Sequence, residues 1–98
     1  MEFSVKVTEY QKNLMLNICD IELLGKDIIE NELTVTITKS YYGDQIIEKD
    51  EAKKLLQTSS IINMVGKNTI SLSLELGIGS EHGVKKIAGV PFLIVFKM

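Results

Sequence analysis

The feature that most constrains the fold is an alternation of apolar and polar residues that recurs in separate segments. The stretch "FSVKVTEY" (3–10) alternates and contains β-branched residues, so it predicts a half-buried strand. The "QKN" that follows predicts a turn, and "LMLNIC" (14–19) predicts the returning strand of an N-terminal hairpin. "ELTVTITKS" (32–40) alternates again and predicts a third strand. A chain with this pattern is built around a sheet.

Helical patterns are shorter. "CDIELLGK" (19–26) predicts one helical turn that begins at Asp20, whose carboxylate can accept a free backbone N–H, and that ends at Gly25. "DEAKKLLQ" (50–57) is the clearest helix, because Asp50 suits the N-cap and the apolar residues recur at i, i+3 and i+4.

The second half of the chain contains further strand patterns and one ambiguous segment. "TSSIINMVG" (58–66) predicts a connecting strand, and "VKKIAG" (84–89) a short edge segment. "PFLIVF" (91–96) predicts a strand buried on both faces, because five apolar residues follow one another without a break. In "KNTISLSLELG" (67–77) the alternation favours a strand, whereas the closing glycine favours the end of a helix.

These elements predict an α+β fold over residues 1–98. We expect a single small domain with a mostly antiparallel mixed sheet of four to five strands and two to three short helices. The longest apolar run is too short to cross a bilayer, and no secretory signal pattern is present. The lone cysteine, Cys19, suits a reducing compartment. We therefore expect a cytoplasmic protein without a membrane partner.

The charged residues limit the kinds of ligand. All eleven basic residues are lysines, so the bidentate guanidinium clamp for phosphates or guanine edges is excluded, while diffuse lysine attraction is not. Residues 1–51 carry a balance of −6 and residues 52–98 a balance of +4. A basic half can indicate an anionic partner, but mutual neutralisation of the two halves within one fold is the favoured interpretation.

Catalytic and metal chemistry lack the necessary residues. Cys19 and His82 are the only cysteine and histidine, so a tetrahedral zinc site cannot be assembled from N and S ligands. His82 lies in the glycine-rich stretch "GIGSEHG" (77–83), which predicts a surface loop and not a phosphate cradle. We predict no catalytic residue, no metal ligand and no cofactor.

Two stretches are candidate contact sites. In "KSYYGDQ" (39–45), Gly43 permits a positive-φ turn and Asp44 can bond back to the backbone, so the stretch predicts a turn. On the extended segment that enters it, Tyr41 and Tyr42 would point to opposite faces, so we expect one of them to pack on the core while the other stays accessible. An exposed tyrosine beside Lys39 can stack an unpaired base or anchor a protein partner. In "VGKNT" (65–69), a helix that begins after Gly66 would place free N–H groups and Lys67 where they can hold a phosphate, although an ordinary helix start is favoured.

Five blocks together resemble a known family. They are "CDIELLGK" (19–26), "SYYGD" (40–44), "NMVG" (63–66), "LELG" (74–77) and "AGVPF" (88–92). In this order and spacing they resemble the uncharacterised archaeal family catalogued as domain of unknown function 424. The resemblance implies a small cytoplasmic α/β protein without an established activity, and only loosely an association with translation or RNA.

The resemblance also bears on individual positions. Members of the family are richer in alanine and charge over 67–77, which favours a helix there. The family often has a second glycine where this chain has Asp44, and often a histidine where this chain has Phe92. The second departure favours binding over catalysis.

Our first functional hypothesis is a non-enzymatic binding module for RNA or a ribonucleoprotein. One predicted contact patch consists of Lys39, Tyr41 and Tyr42, and a second consists of Asn63, Gly66 and Lys67. The lysines expected to attract phosphate without specificity are Lys53, Lys54, Lys85 and Lys86. The alternative is a protein-interaction or homodimeric assembly subunit with an exposed apolar patch. A small enzyme with Asp20 or Asp44 as base is the least favoured hypothesis.

Overall fold

The computed structural model describes residues 1–97, which form eight strands and three α-helices. The strands are β1 (Glu2–Tyr10), β2 (Asn13–Asp20), β3 (Asp27–Glu30), β4 (Leu33–Thr36), β5 (Gln45–Glu48), β6 (Ile61–Val65), β7 (Lys85–Ile87) and β8 (Val90–Phe96). The helices are α1 (Lys39–Tyr42), α2 (Lys49–Thr58) and α3 (Lys67–Glu75), and single 3₁₀ turns lie at Ile21–Leu23 and Glu81–Gly83. The predicted α+β class is confirmed. None of the helices in this part of the chain is long and apolar enough to cross a membrane.

The main sheet has six strands in the order β5-β1-β2-β6-β8-β7, and β3 and β4 form a separate hairpin. Every neighbouring pair is antiparallel except β2 and β6, so the sheet is mixed and mostly antiparallel as predicted. The predicted strand number of four to five is too low. The missed strands β3 and β5 have only four residues each, and each contains an Ile-Ile pair, which gives no alternation for a sequence pattern to detect.

One face of the main sheet is covered by α2 and α3. Alternate residues of the long strands point into this layer, as the pattern of "FSVKVTEY" and "LMLNIC" predicted. The side chains that are at most 1% exposed in this core are Phe3, Val5, Leu16, Ile18, Ala52, Leu56, Ile62 and Met64. Burial of these side chains is the main stabilising contribution to the fold.

The opposite face of the sheet is covered only in part. The β3–β4 hairpin and α1 lie over one end of it, where Cys19, Ile28, Ile37 and Val65 form a second buried cluster. The remainder of this face has no covering element among residues 1–97. The chain is therefore closed on one side of its sheet and half open on the other.

This arrangement corrects two strand predictions. The third strand predicted over 32–40 is limited to β4, and it belongs to the small hairpin. The prediction that 91–96 is buried on both faces is wrong, since Ile94 is 59% and Phe96 65% exposed. Their side chains lie on the part of the sheet that the β3–β4 hairpin and α1 leave uncovered. An apolar run in the sequence does not show which of its residues another element will cover.

The helices also differ in detail from their prediction. Glu48, not Asp50, occupies the N-cap position of α2. The ambiguous segment 67–77 is the helix α3, as the family resemblance indicated, and Gly77 follows it with φ +75°. Helix α3 is buried on more than one side, because Ile70 and Leu72 pack into the same core. That two-sided burial explains why its apolar residues resemble a strand pattern.

Candidate nucleic-acid interface

The uncovered part of the sheet presents two rows of side chains, which we call the open face. Strand register sets Lys6, Asn17, Asn63 and Ile94 side by side in one row, and Thr8, Met15, Ile61 and Phe96 in the next. The first row is polar except for its β8 member, and the second is mostly apolar. The open face contains one lysine and no carboxylate.

A chain of hydrogen bonds holds α1 against the open face. The amide of Asn63 donates from Nδ2 to Oδ1 of Asn17 at 2.8 Å, and Nδ2 of Asn17 donates to the carbonyl oxygen of Tyr41 at 3.1 Å. The ammonium of Lys6 donates to the carbonyl oxygen of Ser40 at 2.8 Å. Asn17 is only 5% exposed, so its amide needs both partners. These bonds fix where the tyrosines stand.

The two adjacent tyrosines have different environments, as predicted. Tyr41 is 60% exposed, while Tyr42 is half-buried and packs on the second cluster. Burial, with smaller contributions from Cys19 and Tyr41, raises the pKa of Tyr42 to about 12. The ring centroids lie 6.1 Å apart with an interplanar angle of 38°. Tyr41 is therefore the ring available to a ligand.

The conformation that separates the tyrosines differs from the predicted one. They lie in the short helix α1, so the predicted extended segment is wrong, and Gly43 at the end of α1 has φ −112° and does not use the positive φ that glycine permits. Glycine is needed here for space, because a Cβ atom would lie 2.7 Å from the Cα of Lys39. Tyr41 forms one wall of a groove of about 330 Å³ lined by Lys6, Thr8, Met15, Asn17, Ser40 and Tyr41.

The residues predicted to form two patches are distributed differently. Asn63 joins the group around Tyr41 through Asn17, and Lys39 is exposed on α1. Gly66 and Lys67 instead follow β6 and begin α3.

The start of α3 is occupied by a carboxylate from β2. Oδ2 of Asp20 accepts the backbone N–H of Asn68 at 3.0 Å, and Oδ1 accepts the N–H and the hydroxyl of Thr69 at 2.8 and 2.7 Å. Asp20 thus caps α3 across the sheet and makes no side-chain cap for its own 3₁₀ turn. These N–H groups are already paired and are not free to hold a phosphate.

Gly66 allows this close approach. It has φ +111°, and a Cβ atom there would lie 2.6 Å from both carboxylate oxygens of Asp20. Because Asp20 is 4% exposed and engaged in three hydrogen bonds, it is poorly placed to act as a general base. Asp44 is exposed, and its backbone N–H donates to the carbonyl oxygen of Val5.

A small cavity lies beside this cap. It has a volume of about 140 Å³ and is lined by Asp20, Glu22, Leu23, Gly66, Lys67, Gly89, Val90 and Pro91. Three of the five sequence blocks that carry the family resemblance meet here. The cavity is smaller than the roughly 300–1,000 Å³ of typical small-molecule sites. In residues 1–97 no three His, Cys, Asp or Glu side chains are grouped as metal ligands.

The lysines predicted to attract phosphate do not form one surface. Lys53 and Lys54 lie on α2, and Lys67 and Lys86 line a groove of about 390 Å³ beside α3 that also contains Glu81. Lys85 pairs with Phe92 and so lies on the side of the sheet that carries the open face. The basic second half of the sequence is therefore spread over both sides of the molecule.

Lys6, Asn17 and Phe96, which lie on the open face, were not predicted as members of the candidate site. The polar positions of the alternating strands were a usable signal, because the side of a strand that avoids the core is the side open to a partner. Phe96 gave no such signal within its apolar run.

The fold and the open face define a small α+β domain whose mixed sheet is covered by helices on one side and exposes aromatic residues on the other. By sequence, the chain belongs to the family described as protein of unknown function (DUF424), whose model matches residues 8–98. The resemblance carried by the five blocks is thus confirmed.

The fold is shared with a solved structure. It is similar to the crystal structure of an uncharacterized conserved protein from the archaeon Methanopyrus kandleri, with a TM-score of 0.80 and 21% identity. The match covers 100% of this chain and 95% of that one. No curated protein matches the sequence.

Proposed function

We propose that the protein is a binding module that holds single-stranded RNA across the open face. The observation that supports this proposal is the exposure of two aromatic rings, Tyr41 at 60% on α1 and Phe96 at 65% on β8, on the uncovered side of the mixed sheet. Exposed rings on a sheet are the groups that stack unpaired bases in RNA-binding domains.

The spacing of the two rings suits more than one base. Phe96 lies on β8 and Tyr41 stands over β2, with β6 between them, so their strands are separated by two strand spacings, or about 10 Å. Met15 and Ile61 lie between the rings as a half-buried apolar floor. The half-exposed amide of Asn63, in the adjacent row, can donate to or accept from the edge of a base.

The small number of charged side chains on the open face supports a mode of binding that would depend mainly on stacking. The whole chain has a net charge of −2, but Lys6 is the only charged side chain on the open face and Lys85 lies at its border. With one or two phosphate contacts, the logarithm of affinity should fall with the logarithm of salt concentration with a slope of about −0.7 to −1.4. A protein that binds mainly through lysines would show a much steeper slope.

The test is fluorescence anisotropy with a labelled single-stranded RNA of mixed sequence, titrated at several salt concentrations. Tyr41→Ala and Phe96→Ala should each weaken binding by roughly 5- to 150-fold, corresponding to about 1–3 kcal/mol for one stacked base. Tyr41→Phe keeps the ring and should bind nearly as the original protein does. A labelled duplex should bind poorly, because its bases are not available for stacking.

The matched control is Ile29→Ala. Ile29 is 59% exposed but lies on β3, outside the open face. Affinity that is unchanged in both aromatic variants, or lowered equally by Ile29→Ala, would refute the proposed surface. Absence of binding at low salt would refute RNA as the ligand.

A further inference from the structure

The outer edge of β8 has no strand partner over half of its length. Strand β7 pairs only with Val90–Phe92, and within residues 1–97 no strand pairs with the outer side of 93–96. On the inner side, Lys97 N–H donates to Ser60, and Gly66 N–H donates to the carbonyl oxygen of Pro91. Odd-numbered residues of β8 therefore bond to β6, and in an antiparallel ladder the even-numbered ones direct their backbone groups outward. The N–H and C=O groups of Ile94 and Phe96 thus point away from the sheet.

This free edge lacks the usual protection against pairing. Exposed edges normally carry lysine, proline or inward-pointing charge that disfavours strand addition. The outer edge of β1 beyond Val5 is also unpaired, but Lys6 and Glu9 place charges along it. The β8 segment "LIVF" (93–96) is apolar throughout. A groove of about 270 Å³, lined by Gly83, Lys85, Phe92, Leu93 and Ile94, adjoins this segment at the end nearer to β7.

We propose that the occupant of this edge is β8 of a second copy of the chain, paired antiparallel around a two-fold axis at Val95. In that register Ile94 of one copy faces Phe96 of the other, and each such pair can exchange two backbone hydrogen bonds, which makes four in total. The side chains of these two residues lie on the same side of the sheet. The symmetry therefore also creates two cross-strand pairs of a β-branched and an aromatic residue, a favourable combination in sheets.

Self-complementarity is the argument for a second copy. A two-fold axis through an edge strand requires outward-pointing backbone groups at equal distances on either side of the axis, which Ile94 and Phe96 provide around Val95. An unrelated extended segment could satisfy the hydrogen bonds, but nothing fixes its side chains to match. The dimer joins the two six-stranded sheets edge to edge, so that the two open faces become continuous.

The experiment measures mass and amide protection on the full chain without RNA, so its outcome is independent of the function proposed above. Sedimentation equilibrium from about 10 µM to about 1 mM should show a reversible rise from monomer to twice the monomer mass, because a small interface binds weakly. Over the same range, hydrogen exchange followed by NMR should slow for the amides of Ile94 and Phe96. The amides of Leu93 and Val95, which bond to β6, should not change.

Two substitutions separate the backbone of the edge from its side chains. Ile94→Pro removes an outward N–H without touching the bonds to β6, and edge positions tolerate proline. Ile94→Ala keeps the N–H. We expect Ile94→Pro to weaken dimerisation at least tenfold and Ile94→Ala to weaken it less.

Three results would overturn the proposal. They are a monomer mass at all concentrations, a dimer that Ile94→Pro leaves intact, and masses that rise beyond the dimer, which would indicate open-ended association and not a two-fold pair. If Ile94→Pro fails to fold, the concentration dependence of the Ile94 and Phe96 amides in the unmodified protein decides the question.

Discussion

The cap that Asp20 places on α3 gives the most direct test of how this fold is held together. Asp20 comes from β2, and it accepts three hydrogen bonds from Asn68 and Thr69, which lie 48 and 49 residues further along the chain. Asp20→Ala removes all three acceptor contacts at once. The N-terminus of α3 then loses its cap, and the Thr69 hydroxyl, which is 0% exposed, loses its acceptor.

The expected cost follows from these two losses. Removing an N-cap side chain costs about 0.5–2 kcal/mol, and a buried hydroxyl left without a partner costs about 1–3 kcal/mol. We therefore expect Asp20→Ala to lower the free energy of unfolding by about 1.5–5 kcal/mol, a large part of the roughly 5–15 kcal/mol typical of a domain. Asp20→Asn keeps one acceptor oxygen, so it should cost less.

The assay is urea unfolding followed by far-ultraviolet circular dichroism, since the chain contains no tryptophan. Glu22→Ala is the matched control, because Glu22 is an exposed carboxylate two residues away whose removal should change the free energy by about 0.5 kcal/mol or less. Gly66→Ala should also destabilise the fold, since it introduces a Cβ 2.6 Å from the oxygens of Asp20 at a φ of +111°.

The double variant tests whether these two residues act together. In Asp20→Ala the new methyl group at position 66 no longer meets a carboxylate, so the double variant should cost about 0.5–3 kcal/mol less than the sum of the single ones. Strict additivity, or an Asp20→Ala variant as stable as Glu22→Ala, would refute the reasoning.

Three further predictions concern the packing of the core, the stability at alkaline pH and the C-terminal end of α2. Leu93 is 4% exposed, so Leu93→Ala should lower the free energy of unfolding, measured in urea, by about 2–5 kcal/mol. Ile94→Ala, on the other face of the same strand, should lower it by about 1 kcal/mol or less. Burial, with smaller contributions from neighbouring carboxylates, raises the pKa of the Cys19 thiol from 9.0 to about 12. The unfolded state therefore ionises first, and the free energy of unfolding should fall above pH 9 by up to about 1.4 kcal/mol per pH unit. Measured between pH 7 and pH 10, the fall should be smaller in Cys19→Ala, which keeps the contribution of Tyr42, whose pKa is also raised. The ammonium of Lys97 donates to the carbonyl oxygens of two residues in the last turn of α2, so Lys97→Met should lower the stability by about 0.3–1 kcal/mol, seen as a reduced melting temperature.

The parts of the fold that follow from local pattern were predictable from the sequence. The N-terminal hairpin is one, because its alternation is long and its two-residue turn at Gln11 and Lys12 is short enough to fix the register. The C-terminal strand is the counter-example. Its apolar residues predict a strand, but whether Ile94 and Phe96 are covered depends on where the β3–β4 hairpin lies, which no local pattern specifies.

The candidate site also has one part that the local sequence predicted and another that depends on long-range strand pairing. The exposure of one tyrosine was predicted from an extended segment, in which adjacent side chains point to opposite faces; the outcome is the same in the helix α1, although its backbone conformation was not predicted. Asn17 bonds to both Tyr41 and Asn63, which follow it in the sequence by 24 and by 46 positions. This contact exists only because β2 pairs in parallel with β6. The Asp20 cap likewise depends on that pairing, so the sequence could indicate a helix start near Gly66 but not the group that occupies it.

The parallel pairing of β2 with β6 also has a consequence for how the chain is made. The N-terminal hairpin is complete once Asp20 has emerged from the ribosome, but its neighbour in the sheet begins at Ile61. At the usual rates of translation, the 40 intervening residues take roughly 2–8 s to synthesise. During this interval the β2 edge and the apolar face of the hairpin lack the strand and helices that later cover them. The nascent hairpin is thus the stage at which the chain is most exposed to chaperones and to wrong partners, before any of the surfaces of the finished protein exist.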